Sequence, residues 1–303
     1  MRFQYDTIGE RFVEAKTTAA FAAADTHTLL GALDALGGVR GLDTIDLACG
    51  YGYNTRLLAR GGARRAVGVD ISEEMIRLAR AHGVIGGGGV GALEGAVGAV
   101  RPVGAAGAAD AAGAADAAEV AGGPGADGAT GAAGAASGAG EDTGAAPAVE
   151  YVVADAAKLP QMGPFDLATA VYLFNQAADR SSLHAMFRSI RANLREGGRL
   201  LAIVPNAGAY PHVDWSPYGV RIVDRVLEGD APLLKAQFLT KPPADFEFRE
   251  WAHADFAEAA VEAGFSTVGW QPNRTPPAEG ARDDAYWTAY RAWPISSLMT
   301  CTA

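Results

Sequence analysis

Hydrophobic and polar positions change period repeatedly along this chain, and each change marks an element. Residues 5–36 place Tyr5, Ile8 and Phe12 at helical spacing and predict one or two helices ahead of the first strand. Residues 44–48 are a short apolar run read as a strand, 54–60 a helix that begins against glycines, and 65–69 a second strand. Ser72 then caps a helix running to about residue 81, with Glu73 and Glu74 in the first turn, where the helix dipole favours acids.

Further along, the β-branched run 150–154 and the apolar run 165–172 both read as buried parallel strands. Asp179 caps a helix that carries Leu183, Met186, Phe187, Ile190 and Leu194, and Gly197-Gly198 ends it before a strand at 199–204. Residues 205–250, rich in Pro, Gly and aromatics, break the alternation. It resumes with a helix at 255–263 and strands at 265–270 and 295–301. Strand and helix in alternation imply an α/β fold, a doubly wound, mostly parallel seven-stranded sheet with helices on both faces. Ligands of such sheets gather outside the carboxyl ends of the strands.

Composition changes this picture at one place. Residues 86–148 hold 43 Gly or Ala among 63, no aromatic residue and a single Leu. Such a stretch lacks the apolar side chains needed to offset chain entropy, and it is expected to be a Gly/Ala-rich disordered insertion. The domain reading follows: a helical lid at 1–40, one folded domain from 41–85 and 149–303, a substrate cap within it at 205–250, and the insertion. The formal charge is −10, and the insertion's seven acids and one Arg leave about −4 for the rest. An acidic chain is repelled by a phosphate backbone, which points away from nucleic acid and toward a small-molecule partner. Two cysteines, Cys49 and Cys301, give neither a disulfide framework nor metal-ligand spacing. With no signal peptide and no apolar run of membrane-spanning length, the expectation is a cytoplasmic protein with no membrane partner and no metal.

The chemistry concentrates in Asp46-Leu-Ala-Cys-Gly50-Tyr-Gly52 and in Gly68-Val69-Asp70, the acid standing 18 residues after Gly52. Strand, glycine turn, helix and a second strand ending in an acid build a mononucleotide half-site, so an adenosine cofactor is expected here.

Five pieces in order resemble the class I S-adenosylmethionine-dependent methyltransferase family, of the small-molecule type. The glycine run above is similar to the family's first motif and Val69-Asp70 to its ribose-binding acid. Ala154-Asp155-Ala156 is similar to its adenine-contacting turn, Phe165 to Tyr172 to its fourth strand, and Leu194-Arg-Glu-Gly197-Gly198 to the glycine turn before its fifth. Ala48 stands where the family often has glycine. The resemblance implies a Rossmann-like fold, S-adenosyl-L-methionine as cofactor, and methyl transfer to an O, N or C acceptor by in-line displacement. It implies that Gly50 and Gly52 let backbone approach the methionyl part, beside Ala48, and that Asp46 serves the ammonium group. Asp70 accepts from the ribose hydroxyls, Ile71 packs on adenine, Asp155 accepts from its exocyclic amine, and Ala156 offers backbone contact. Val171, Tyr172 and Phe174 then lie near the methyl group, although Tyr172 and Phe174 also read as core aromatics.

For a general base the candidates are His212 and His253, in or just after the 205–250 cap, and Tyr5 on the lid. Trp215, Tyr218, Phe238, Phe246, Phe248 and Trp251 make that cap aromatic, which fits an apolar or planar acceptor and equally a secondary core. Two other readings stand beside this one. An NAD(P)-dependent oxidoreductase shares the glycine turn and acid, but its fingerprint needs a third glycine where this chain has Thr55. A non-catalytic cofactor-binding module needs no base at all. The Asn/Asp-Pro-Pro-aromatic motif of methyltransferases that act on base amino groups is replaced here by Ala170-Val-Tyr172.

Overall fold

Seven strands form one sheet in the order β3-β2-β1-β4-β5-β10-β9 in the computed structural model, which describes residues 4–84 and 148–303. The expected insertion lies outside the described residues apart from Ala148, which opens β3. In chain order the first half comprises α1 (Gln4–Thr18), α2 (Ala20–Ala35), β1 (Asp43–Leu47), α3 (Tyr53–Arg60), β2 (Arg65–Asp70) and α4 (Glu73–Val84). β3 (Ala148–Val153), β4 (Phe165–Val171), α5 (Arg180–Asn193) and β5 (Leu194–Pro205) follow. Next come β6 (Val220–Val226), β7 (Leu233–Phe238), β8 (Ala244–Arg249) and α6 (His253–Glu262), then β9 (Thr267–Pro272), α7 (Asp284–Ala292) and β10 (Ser296–Thr302).

β1 through β5 are mutually parallel, while β10 lies antiparallel between β5 and β9. Alternation along the central strands feeds two cores. On β5, Leu200, Ala202 and Val204 face the layer of α5 and α6, and Leu201 and Ile203 face the layer of α2 and α3. The first layer is anchored by Phe174 and Phe187, whose rings stack at 4.0 Å and 2°.

Helix ends follow local chemistry. Ser72 Oγ accepts from Met75 N at 3.1 Å, Asp179 from Ser182 N at 2.7 Å, and Asp283 from Tyr286 N at 2.8 Å. The first two were expected; α7, capped by Asp283, was not read from the sequence. Its cap and its Tyr286, Trp287 and Tyr290 stripe were visible signals, overlooked in a stretch crowded with proline and glycine.

Two further expectations are corrected. β3 is an edge strand, exposed or half-buried along its length, because only β2 pairs with it. α5 ends at Asn193 rather than at Gly197-Gly198, since Leu194 already adopts extended backbone and pairs with Phe165. The 205–250 region holds a three-stranded antiparallel sheet, β6-β7-β8, whose aromatic side chains pack with α1, α2 and α7 into a second core. Among the described residues no helix is long and apolar enough to cross a membrane.

The start of β4 hangs on one buried amide. Asn193 Oδ1 accepts from Met162 N at 2.7 Å and Gly163 N at 3.0 Å, and its Nδ2 donates to Ser189 O at 3.0 Å. Asn193→Ala leaves these backbone groups without that partner. The expected cost is about 2 kcal/mol, read as a lower urea midpoint at unchanged m-value; an unchanged midpoint would show that the loop before β4 does not depend on this side chain.

Candidate active site

The turn after β1 reverses the chain within five residues by left-handed backbone, with φ of 52° at Ala48, 55° at Gly50 and 80° at Gly52. Gly50 and Gly52 adopt this freely. Ala48 adopts it against its Cβ, at a cost of about 1 kcal/mol, which explains why glycine suits that position. A Cβ on Gly52 would come within 2.7 Å of the Tyr151 ring, and one on Gly50 within 3.1 Å of the Phe12 ring on α1.

The turn is held from below and from the side by two carboxylates. Asp46, on β1, is buried with Oδ1 accepting from Thr169 Oγ1 at 2.8 Å and Oδ2 from Thr55 Oγ1 at 2.7 Å. Burial pushes its pKa up to about 6, opposed by those two hydroxyls. Thr55 reaches Asp46 because Gly68 on β2 makes room: a Cβ there would lie 2.7 Å from the Thr55 hydroxyl. A glycine on the strand thus takes the packing role that the dinucleotide fingerprint gives to its third glycine. Asp70, at the end of β2, accepts from Gly50 N through Oδ2 and from Ser72 N through Oδ1, both at 2.9 Å. Burial raises its pKa as well, against these backbone bonds.

A cavity of about 540 Å³ opens above this edge of the sheet. Of the expected cofactor residues, Ala48, Gly50, Asp70, Ile71, Asp155, Ala156, Val171 and Tyr172 line it together. Asp46 and Gly52 do not: the first lies beneath the turn, and the second supports it against Tyr151. Asp155 caps a single 3-10 turn, accepting from Ala157 N at 3.0 Å.

Of the candidate bases, only Tyr5 lines the cavity, its ring edge-on to Phe12 at 5.1 Å and its pKa raised by burial and by Asp70. His212 is exposed. His253 stacks on Trp270 at 3.8 Å, with its pKa lowered by burial. None of the five histidines lines the cavity. Phe174 is fully buried in the core. In the cap, Trp215, Phe238, Phe246 and Phe248 line the cavity, while Tyr218 packs against Tyr286 and Tyr290, and Trp251 is buried with Nε1 donating to Ala177 O. Trp215, Tyr218, Phe238, Phe246 and Phe248 all belong to the second core, and all but Tyr218 also face the cavity.

The sequence reading missed Lys16, Asp25, Asn175 and Gln176, all of which line the cavity. Asp25 is buried and accepts from Tyr172 Oη at 3.2 Å, Ser296 Oγ at 2.9 Å and Asn273 Nδ2 at 3.1 Å. Lys16 Nζ stands 3.5 Å from Asp25 Oδ2 and about 5 Å above the rings of Phe21 and Tyr172. Tyr172 has φ 58°, and burial and Asp25 raise its phenol far above its ordinary value. Lys16 in the last turn of α1 and Asp25 within the apolar face of α2 were the available signals. Among the described residues, no group of three or more His, Cys, Asp or Glu is placed to hold a metal ion.

A doubly wound sheet with one antiparallel strand next to its edge, a glycine turn after β1 and an acid closing β2 define the class I S-adenosylmethionine-dependent methyltransferase fold. Residues 45–86, from β1 through α4, match the family model described as a methyltransferase domain, and both findings agree with that family. Solved structures similar along nearly the whole chain include a chain of the complex between the Haloferax volcanii Trm112 methyltransferase activator and its methyltransferase, at 18% identity and TM-score 0.54, covering 100% of this chain and 96% of that one. An S-adenosylmethionine-dependent methyltransferase from Clostridium acetobutylicum is similar at 12% identity and TM-score 0.53, covering 98% and 97%. The Burkholderia thailandensis 1,6-didemethyltoxoflavin-N1-methyltransferase, with bound 1,6-didemethyltoxoflavin and S-adenosylhomocysteine, is similar at 16% identity and TM-score 0.51, covering 99% and 86%. Comparison with curated proteins gave no match.

The raised pKa of Asp46 has a measurable sign. Between about pH 4 and pH 6 the folded protein retains a proton that the unfolded chain has released, so this group makes stability fall as pH rises through that window. Asp46→Asn removes it. The expected outcome is a flatter stability profile from about pH 4 to 6, by up to about 3 kcal/mol, read from urea midpoints of both proteins. An unchanged slope would place the proton elsewhere.

Proposed function

We propose that this protein transfers the methyl group of S-adenosyl-L-methionine to a small-molecule acceptor held under the β6–β8 cap. The observation that carries the reading is the continuity of one cavity, from Asp70 and Asp155 at the carboxyl ends of β2 and β3 to Trp215, Phe238, Phe246 and Phe248 in the cap. Its size is that of sites which enclose small ligands.

The residues present fit the cofactor. Asp70 spends one bond of each oxygen on backbone N–H groups, and its remaining lone pairs suit two ribose hydroxyls. Burial raises the pKa of that carboxylate, so accepting two more donors favours its charged form. Asp155 and Ala156 flank the adenine position, and Ala48 and Gly50 leave backbone exposed for the methionyl part. Bound there, S-adenosyl-L-methionine supplies a sulfonium methyl group as electrophile. The chain's own work is alignment and exclusion of water. α1 lays Tyr5 and Phe12 over the glycine turn, and the ring of Phe238 lies 5.9 Å from Phe12 to close the cap side. Tyr172, fixed by its hydroxyl on Asp25, walls the space at the end of β4. With Asp70 and Asp155 engaged by the cofactor, Asp25 is the remaining acid that lines the cavity and its candidate proton acceptor, since no histidine reaches it.

Calorimetric titration with S-adenosylhomocysteine and, separately, NADH tests this reading. The expected result is micromolar affinity for S-adenosylhomocysteine, weakened by about 100-fold or more in Asp70→Ala, since two hydrogen bonds to a charged group are lost. Asp70→Asn should fall between the two. Preference for NADH would move the chain to the oxidoreductases, and binding of neither would leave a non-catalytic module.

A further inference from the structure

The ion pair of Lys16 and Asp25 stands in the cavity wall with its two heads apart. Nζ lies 3.5 Å from Oδ2, beyond the roughly 2.7–2.9 Å of a closed ammonium–carboxylate bond. Both residues line the cavity, and so do Phe21 and Tyr172, whose ring centroids lie 5.2 Å and 5.1 Å from Nζ. The ammonium head of Lys16, rather than its stem, is therefore the part that cavity-lining groups surround.

Each head has capacity that the protein leaves unused. An ammonium donates three hydrogen bonds, and among the described residues Asp25 Oδ2 is the one acceptor bonded to Nζ. Asp25 is engaged on one side only. Its Oδ1 accepts from Tyr172 Oη at 3.2 Å, Ser296 Oγ at 2.9 Å and Asn273 Nδ2 at 3.1 Å, whereas Oδ2 has the distant ammonium alone. Burial keeps the phenols of Tyr172 and Tyr290 protonated, both with pKa values far above the ordinary one, so the charges at this end of the cavity are Lys16 and Asp25.

Because Nζ and Oδ2 are 3.5 Å apart, one oxygen atom can stand about 2.8 Å from both. A hydroxyl satisfies both heads: its O–H donates to Oδ2, one lone pair accepts from Nζ, and a second lone pair stays free to attack. An amine nitrogen has a single lone pair, which Nζ would occupy. An ammonium group is repelled by Lys16 and a carboxylate by Asp25. An aliphatic alcohol is too weak an acid for a carboxylate to deprotonate, whereas a phenol ionises near pH 10, as tyrosine does at about that value, and an adjacent cation eases it further. Phe21, Tyr172, Phe238 and Phe246 wall the cavity with rings suited to a flat molecule.

We infer that the acceptor is a hydroxyl of the phenol or enol class, held between Lys16 Nζ and Asp25 Oδ2, and that methylation falls on its oxygen. This rests on the methyltransferase reading for the methyl donor. The free lone pair of the oxygen forms the new O–CH3 bond while the S–CH3 bond of S-adenosyl-L-methionine breaks, its electron pair remaining on sulfur. The hydroxyl proton passes to Asp25 Oδ2 and from there to solvent. Lys16 offsets the negative charge that gathers on the oxygen and is thereby a catalytic residue.

The test compares probes in which a hydroxyl is exchanged for a methyl group of similar size: 2-naphthol with 2-methylnaphthalene, and 4-methylphenol with 1,4-dimethylbenzene. Ligand-observed NMR titration of the full chain, with and without saturating S-adenosylhomocysteine, should show the hydroxyl member of at least one pair binding about 10-fold tighter or more. Lys16→Met should bring the two members within about 2-fold of each other, and Lys16→Arg should retain the discrimination. Lys16→Gln is the second variant in case Lys16→Met does not fold. With S-adenosyl-L-methionine present, the phenol should yield its methyl ether. Asp25→Asn should then lower kcat by about 100-fold with KM changed by less than about 3-fold, a split that a merely structural acid would not produce.

Equal affinity within both pairs, discrimination that persists in Lys16→Met and Lys16→Gln, or failure of both phenols to yield a methyl ether overturns the inference. Loss of S-adenosylhomocysteine binding in the Lys16 variants assigns that residue to the cofactor and overturns it as well. In each of these cases binding of S-adenosylhomocysteine by the unaltered protein leaves the methyltransferase reading standing. If the unaltered protein binds no S-adenosylhomocysteine, that reading falls and the inference falls with it.

Discussion

The hydrogen bond from Gly50 N to Asp70 Oδ2 joins the end of one central strand to the end of its neighbour, and the upper edge of the sheet is organised around it. It forms only because the backbone after β1 turns left-handed and points an amide sideways. Asp70 in return spends its other oxygen on Ser72 N, where α4 begins. One carboxylate thus sets the glycine turn and the start of the next helix relative to each other. The buried Asp46, gripped by Thr55 on α3 and Thr169 on β4, fixes the underside of the same turn. Burial raises the pKa of both acids, with Asp70 adding to the rise at Asp46 and Asp6 to that at Asp70, and the surrounding hydroxyl and amide donors offset this in part.

Over this rigid floor sits a lid and cap that belong to one another. Phe238 is the hinge of their contact: it stacks on Phe246 at 3.9 Å within the cap sheet, on Phe21 of α2, and meets Phe12 of α1 edge-on. Gln4 adds a polar clasp by bonding the backbone of β8 as another strand would. Such a roof is held by rings and one side-chain amide rather than by continuous backbone pairing.

The polar inventory of the cavity divides along its length. Near β2 and β3 the acids are tied to backbone amides, while near β4 and β10 Asp25 gathers Tyr172, Asn273, Ser296 and Lys16 into one network.

Local patterning was enough for most of the sheet. Apolar runs, caps at Ser72 and Asp179, and the spacing from Gly52 to Asp70 determine β1, β2, β4, β5 and the helices between them, because each is set by residues near in sequence. The same local chemistry brought eight of the ten expected cofactor residues to one cavity. It did not reveal that β3 is an edge or that 205–250 folds as its own small sheet, since pairing partners far along the chain decide those. Nor did it separate Phe174, sealed in the core, from its neighbour Asn175 in the cavity wall. The histidines of the cap region were attractive for their chemistry alone, and the fold turned them away. What the sequence by itself determined is a glycine turn and an acid at adjacent strand ends. Which side chains face that turn across the cavity, Lys16 and Asp25 above all, only the tertiary structure decided, because packing of the lid and cap sets their distance from it.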